Sequence, residues 1–242
     1  DKEVSDEIVK RLNTIVDYKE VYTKEKIVSL LRKVLLENKK INEIEMANLC
    51  NNLTNFITNS DVRIVYLANE KKQYGYFDKK NNSIGYAFDY YMGLRGEEQD
   101  SKLVLDLLMT IFHESTHYIQ FNTIPTTDEE MYFHKERIIR KYYPDYYDKN
   151  YSMISYERDA RIKSYEMCYK FLEENIPEVC SLFIEYYEQE YNRDTELSID
   201  EKVLFDDKLK IDVDRIFDRL VFFHPEIKDE YPFLFAETKS KT

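Results

Sequence analysis

Residues 100–121 read DSKLVLDLLMTIFHESTHYIQF. Leu103, Val104, Leu107, Leu108, Ile111 and Phe112 recur at helical spacing and Asp100 suits the cap, so the stretch predicts one long helix running to about Phe121. Its last third carries His113 and His117, two of only four histidines in the chain, with Glu114 beside the first. On a helix, positions i and i+4 stack on one face, so the two imidazoles aim at one point. Neutral imidazoles bind zinc at about 2.0–2.1 Å, and a catalytic zinc typically has three protein ligands and one place left for water. Glu114 is then the base that takes the proton of this water as it attacks a carbonyl, because the ion lowers the water's pKa to near 7. The plainer reading is a polar turn on the wet side of an amphipathic helix. The scarcity of histidine, the spacing and the strongly apolar remainder of the helix weigh against it.

Upstream, Val62–Leu67 is a short run of β type, and Tyr74–Phe77 and Ser83–Phe88 flank the polar turn Asp78–Asn82, which predicts a strand followed by a hairpin. Before these, Val4-Ile8-Leu12-Ile15 and Ile27-Leu30-Leu31-Val34-Leu35 have helical periodicity, and Asn42 with Glu45 makes a capped start for a third helix. Downstream, Thr127 with Glu130 caps a helix to about Lys141, and the loop Tyr142–Asp148 precedes a helix over roughly Ser152–Leu172. Further helix starts are expected at Pro177, at Ser198 with Glu201, at Asp212 and at Pro225. The fold class is therefore α+β and mostly helical, with a small sheet packed on the motif helix and helical N- and C-terminal parts. The expected organisation is a helical part over 1–60, a core over 61–172 and a helical part over 173–242, all of which one domain can hold.

Composition narrows the partners. Lys and Arg total 35 against 47 Asp and Glu, a formal charge of -12, which repels phosphate backbones and anionic lipid, so no nucleic-acid or membrane partner is expected. No apolar run reaches the roughly 18 residues of a membrane helix. No secretory leader pattern opens the sequence, so a cytoplasmic location is expected, while an initial Asp in place of Met leaves secretion open. Cys50, Cys168 and Cys180 are widely spaced without a CxxC pair and read as small core residues. Four glycines are too few for a glycine-rich phosphate loop.

His113-Glu-Ser-Thr-His117, on a helix that follows β-type segments, resembles the H-E-x-x-H signature of the zincin metallopeptidases, and Gln120 extends it to H-E-x-x-H-x-x-Q. The resemblance covers about residues 61–172. It implies one Zn²⁺ ion, a peptide or protein substrate, and an edge strand along which an extended peptide adds by backbone hydrogen bonds, for which Ser83–Phe88 is the candidate. The metzincin form of the signature needs Gly at 120 and His at 123, where this chain has Gln120 and Thr123. In the gluzincin form the third ligand is a later glutamate in an E-x-x-A context, and Glu157 with Ala160 supplies it. His134 and His224 are the rivals for that position. An acid is frequent four residues after the gluzincin ligand, and Arg161 stands there instead, so the group orienting the histidines is unassigned.

The resemblance thus implies a zinc-dependent peptidase with His113, His117 and Glu157 on the metal and Glu114 as general base and then acid. Tyr156 and His134 are the candidate donors to the oxyanion of the tetrahedral intermediate. Asp159 and the Glu136, Arg137 and Arg140 side of the His134 helix are expected to face solvent. The alternative is a non-catalytic zincin-like module that binds a protein partner. A binding module has no chemical need for an acid next to the first histidine, and Glu114 argues against it.

Overall fold

A computed structural model of the 242-residue chain describes residues 6, 7, 10, 20–67, 74–92, 99–145, 154–191 and 212–236. Within these, the chain is mostly helical with a three-stranded sheet, an α+β architecture. The elements used below are α1 (Lys24–Leu35), α2 (Glu43–Thr58), β1 (Arg63–Leu67), β2 (Gly75–Asp78), β3 (Ser83–Ala87) and the helical turn α3 (Phe88–Tyr91). They continue with α4 (Ser101–Asn122), α5 (Asp128–Tyr142), α6 (Ser155–Asn175), α7 (Cys180–Tyr191), α8 (212–223) and α9 (Ile227–Glu230). The predicted helices around residues 4–15 and 198–201 lie outside the described residues, apart from residues 6, 7 and 10.

The helix starts follow their caps. Asn42 and Thr127 each accept from the backbone N–H three residues on, while Glu45 and Glu130 reach back to the cap N–H, so both predicted capping boxes form. Asp100 Oδ1 accepts from Leu103 N at 2.8 Å and opens α4 as expected. Helix α2 ends at Asn59, whose φ of 50° places it in the left-handed region that asparagine tolerates. Pro177 opens a 3-10 turn, Pro177–Val179, that leads into α7.

The sheet order is β1-β3-β2, with β1 parallel and β2 antiparallel to β3. This corrects the substrate-edge expectation for Ser83–Phe88. Strand β3 is paired on both sides and has no free edge, and Phe88 already belongs to α3. Among the described residues the outer positions belong to β1 and to β2, the other strand of the hairpin. One-dimensional patterning shows that two strands form a hairpin, and the return of β1 to the inner strand is a tertiary choice.

Contacts divide the chain into two compact units, one taking residues up to Ile119 with a run from Ala160, the other Gln120–Asp159 with the C-terminal residues. In the first, Tyr66 and Tyr86 project from the sheet to α2, where the Tyr66 hydroxyl donates to Ala47 O at 2.9 Å and that of Tyr86 bonds Thr54 Oγ1 at 2.7 Å. Leu31, Met46, Leu49, Ile84 and Phe183 are fully buried in the same core. Cys50 and Cys168 are core residues as expected, and Cys180 is half-buried. In the second unit Phe133, Ile138 and Ile139 of α5 and Val213 and Phe217 of α8 are buried, and between the two helices Lys135 pairs with Asp214 at 2.9 Å. Among the described residues no helix is long and apolar enough to cross a membrane.

Candidate metal centre

Helix α4 is continuous through His113 and His117, so the predicted convergence of the two imidazoles is realised: their Nε2 atoms lie 3.0 Å apart, with ring centroids at 4.6 Å and the planes edge-on at 87°. Two nitrogens of a tetrahedral zinc site, each about 2 Å from the ion, are roughly 3.3 Å apart, so this spacing suits two corners of one coordination shell. Among the described residues, Glu157 joins them as a potential ion-holding group, the three ligand atoms all lying within 4.8 Å of one another. His117 and Glu157 are buried and His113 is half-buried. Two imidazoles and one carboxylate form a donor set that suits zinc and leaves a fourth position for water.

Glu157 comes from the first turn of α6, and that turn is anchored from two helices. From α4, the Gln120 amide donates to Tyr156 O at 3.1 Å and to Asp159 Oδ2 at 2.7 Å. From α5, the Glu136 carboxylate accepts from Tyr156 N at 3.3 Å and from Ser155 Oγ at 3.4 Å, which satisfies N–H capacity that a helix start leaves open. Arg140, also on α5, donates to the Tyr156 hydroxyl at 2.9 Å and lies 3.5 Å from Glu157 Oε1.

Two expectations are corrected by this arrangement. Asp159 is half-buried and hydrogen-bonded to Gln120 instead of facing solvent. The α5 face bearing Glu136 is also interior: Glu136 is 0 % exposed and His134 is 6 % exposed. Charged residues at helical spacing resemble a wet face in the sequence, whereas here they serve the start of another helix, a use that no local pattern announces.

The remaining candidates are placed as follows. Glu114 is buried beside β2, where a Cβ on Gly75 would stand 3.0 Å from Glu114 Cγ and 3.2 Å from its Oε1. Tyr156 is buried edge-on to Phe121 at 5.3 Å, and desolvation pushes its hydroxyl up to about 12, so it carries its proton throughout the neutral range. His134 packs edge-on between Phe121 at 5.3 Å and Phe233 at 4.9 Å, and is not one of the three grouped ligands. His224 pairs with Glu226 at 3.0 Å and is likewise outside the group. Gln120, Glu136 and Arg140 were not singled out as site residues from sequence. The motif extension at Gln120 was the one available signal.

Burial raises the Glu136 carboxyl to about 7 against the opposing pull of the Tyr156 and Ser155 hydrogen bonds and the Arg158 charge. Between its ordinary 4.5 and about 7 the folded chain holds this proton and the unfolded chain does not. The contribution is therefore fully present below 4.5 and is lost as pH rises through 7, a change of roughly 3 kcal/mol. Gln at this position keeps an acceptor for both donors and removes the titration. Glu136→Gln is expected to stabilise the protein at pH 8 by about 2–3 kcal/mol relative to its effect at pH 4. Urea melts across this range check it, and parallel stability-pH curves for the two proteins would contradict it.

Comparisons with protein families, with curated proteins and with solved structures each return no match for this chain.

Proposed function

We propose that the protein is a zinc-dependent peptidase of gluzincin type that hydrolyses bonds in a peptide or protein substrate. The observation that carries this reading is the grouping of His113, His117 and Glu157 within 4.8 Å, with Glu114 buried one residue from the first ligand. His113, His117 and Glu157 would hold the ion, which when bound polarises a carbonyl and lowers the pKa of water. Glu114 accepts the proton of the attacking water and returns it to the leaving amine, so one carboxylate serves as base and then acid. Tyr156, protonated at neutral pH and held through its oxygen by Arg140, is the donor to the developing oxyanion.

Strand β2 supports the substrate side of the reading. Among the described residues it is an edge strand, and its first residue, Gly75, lies directly against Thr110 and Glu114. An extended peptide pairing with this edge is drawn along α4 toward the base without its side chains being read individually. Only glycine fits at 75, since a Cβ there would meet Thr110 Cγ2 at 2.7 Å, and the branched Thr110 on a helix has little freedom to yield. Gly75→Ala is expected to cost about 1–3 kcal/mol in stability and to depress turnover by moving Glu114, while zinc content is unchanged. Thermal melts, metal analysis and initial rates check the three parts.

The function itself is tested by zinc titration of the chelator-stripped protein, followed by cleavage assays on an unfolded protein such as reduced casein. One equivalent of zinc and cleavage abolished by chelator and restored by zinc are expected. Stoichiometric zinc with no cleavage across a broad peptide set would favour a binding module, and no zinc at all would overturn the metal reading.

A further inference from the structure

We propose that Gln120 is a positioning residue for the metal, acting through Glu157 by clamping the first turn of α6 to α4. The inference rests on the zinc reading above and adds to it the device that holds the distant ligand in place.

Gln120 is one turn beyond His117 on the same helix, so any segment it grips is registered against the imidazole pair. Its Nε2 bonds Tyr156 O at 3.1 Å and Asp159 Oδ2 at 2.7 Å. These two acceptors flank Glu157, one residue before it and two after. One is a backbone carbonyl and the other a carboxylate oxygen, so the amide turns its nitrogen toward them, and its two hydrogens match two acceptors. A glutamate of the same size would offer no donor and would repel Asp159. A leucine would fill the space and grip nothing.

The clamp matters because Glu157 reaches the site from a separate segment. Thirty-nine residues lie between it and His117. A ligand that is ordered only when the ion arrives charges its ordering to the binding free energy. One already held contributes its full affinity. Partners just outside a metal shell typically cost about 10–100-fold in affinity when removed. Asp159 is the reciprocal half of the device, and it has an acceptor role that asparagine can retain.

The experiment measures zinc affinity by chelator competition in Gln120→Leu, Glu157→Ala and the double variant, with apo melting temperatures recorded alongside. Gln120→Leu is expected to weaken zinc by about 10–100-fold when Glu157 is present and to have no effect when it is Ala. Unchanged affinity in the single variant overturns the proposal. So does an equal loss in both backgrounds, which would mean that Gln120 acts on the histidines or on the fold at large. Should Gln120→Leu fail to fold, Asp159→Ala against Asp159→Asn decides: weakening by Ala with retention by Asn supports the clamp, and equal behaviour overturns it. A wild type that binds no zinc sinks this inference together with the metal reading, whereas a zinc-binding wild type with an indifferent Gln120 sinks the clamp alone.

Discussion

Glu114→Gln is expected to lower the rate of peptide cleavage by about 10²–10⁴-fold while zinc affinity and thermal stability stay close to those of the wild type. The amide matches the carboxylate in size, so the close fit of Gly75 over Glu114 is preserved and no cavity forms. What disappears is the capacity to take a proton from water and return it to the leaving amine. The loss should fall on kcat, with KM little changed, because the backbone pairing proposed for a peptide along β2 would not involve this group. The measurement is steady-state cleavage of a fluorogenic peptide by metal-loaded wild type and variant, with zinc content of both determined in parallel. A variant with full zinc and wild-type turnover would remove Glu114 from the chemistry and return the site to a metal-binding role.

The second large effect concerns Glu157, the proposed ligand that lies outside the motif. Glu157→Ala is expected to weaken zinc by more than the roughly 10–100-fold typical of an outer partner, since it removes a donor atom and one compensating negative charge. Folding linkage makes this visible without an activity assay. A ligand present at 100 times its dissociation constant stabilises the native state by about 2.7 kcal/mol, and the variant should lose most of this shift at the same zinc concentration. Removing Glu157 also leaves Arg140, now 3.5 Å from its carboxylate, without that partner, and some apo destabilisation follows. Melting curves with and without zinc separate the two contributions, because the first depends on zinc and the second does not. An undiminished zinc shift in Glu157→Ala, with a diminished one in His134→Ala, would transfer the third position to the rival histidine.

How far the site could be read in advance differs residue by residue. His113, Glu114 and His117 were legible because one helix fixes their relation: four residues along α4 bring the imidazoles together whatever surrounds them. Glu157 was reached through the resemblance to gluzincins, and its nearness to the pair depends on the path of the chain through α5. The capping boxes at Asn42 and Thr127 were equally legible, being local hydrogen-bond patterns complete within four residues. Strand existence was also local, while strand order was not. Ser83–Phe88 looked like a substrate edge because hairpin patterning says nothing about which partner lies beyond either strand.

The supports of the α6 turn were the least legible. Glu136 and Arg140 sit on α5 among charges that by themselves describe a solvated helix, and Asp159 gave no local sign of its bond to Gln120. Their roles are relations between helices, and a polar residue that caps a neighbour has the same letter and spacing as one that meets water. By itself, then, the sequence determined the features whose energies close within a few turns of chain: helix starts, the hairpin and the paired imidazoles. Tertiary structure alone decided the sheet order, the interior placement of Glu136 and His134, and the anchoring of Glu157. Those depend on contacts between residues far apart in the chain, whose free energy exists only once the elements have packed.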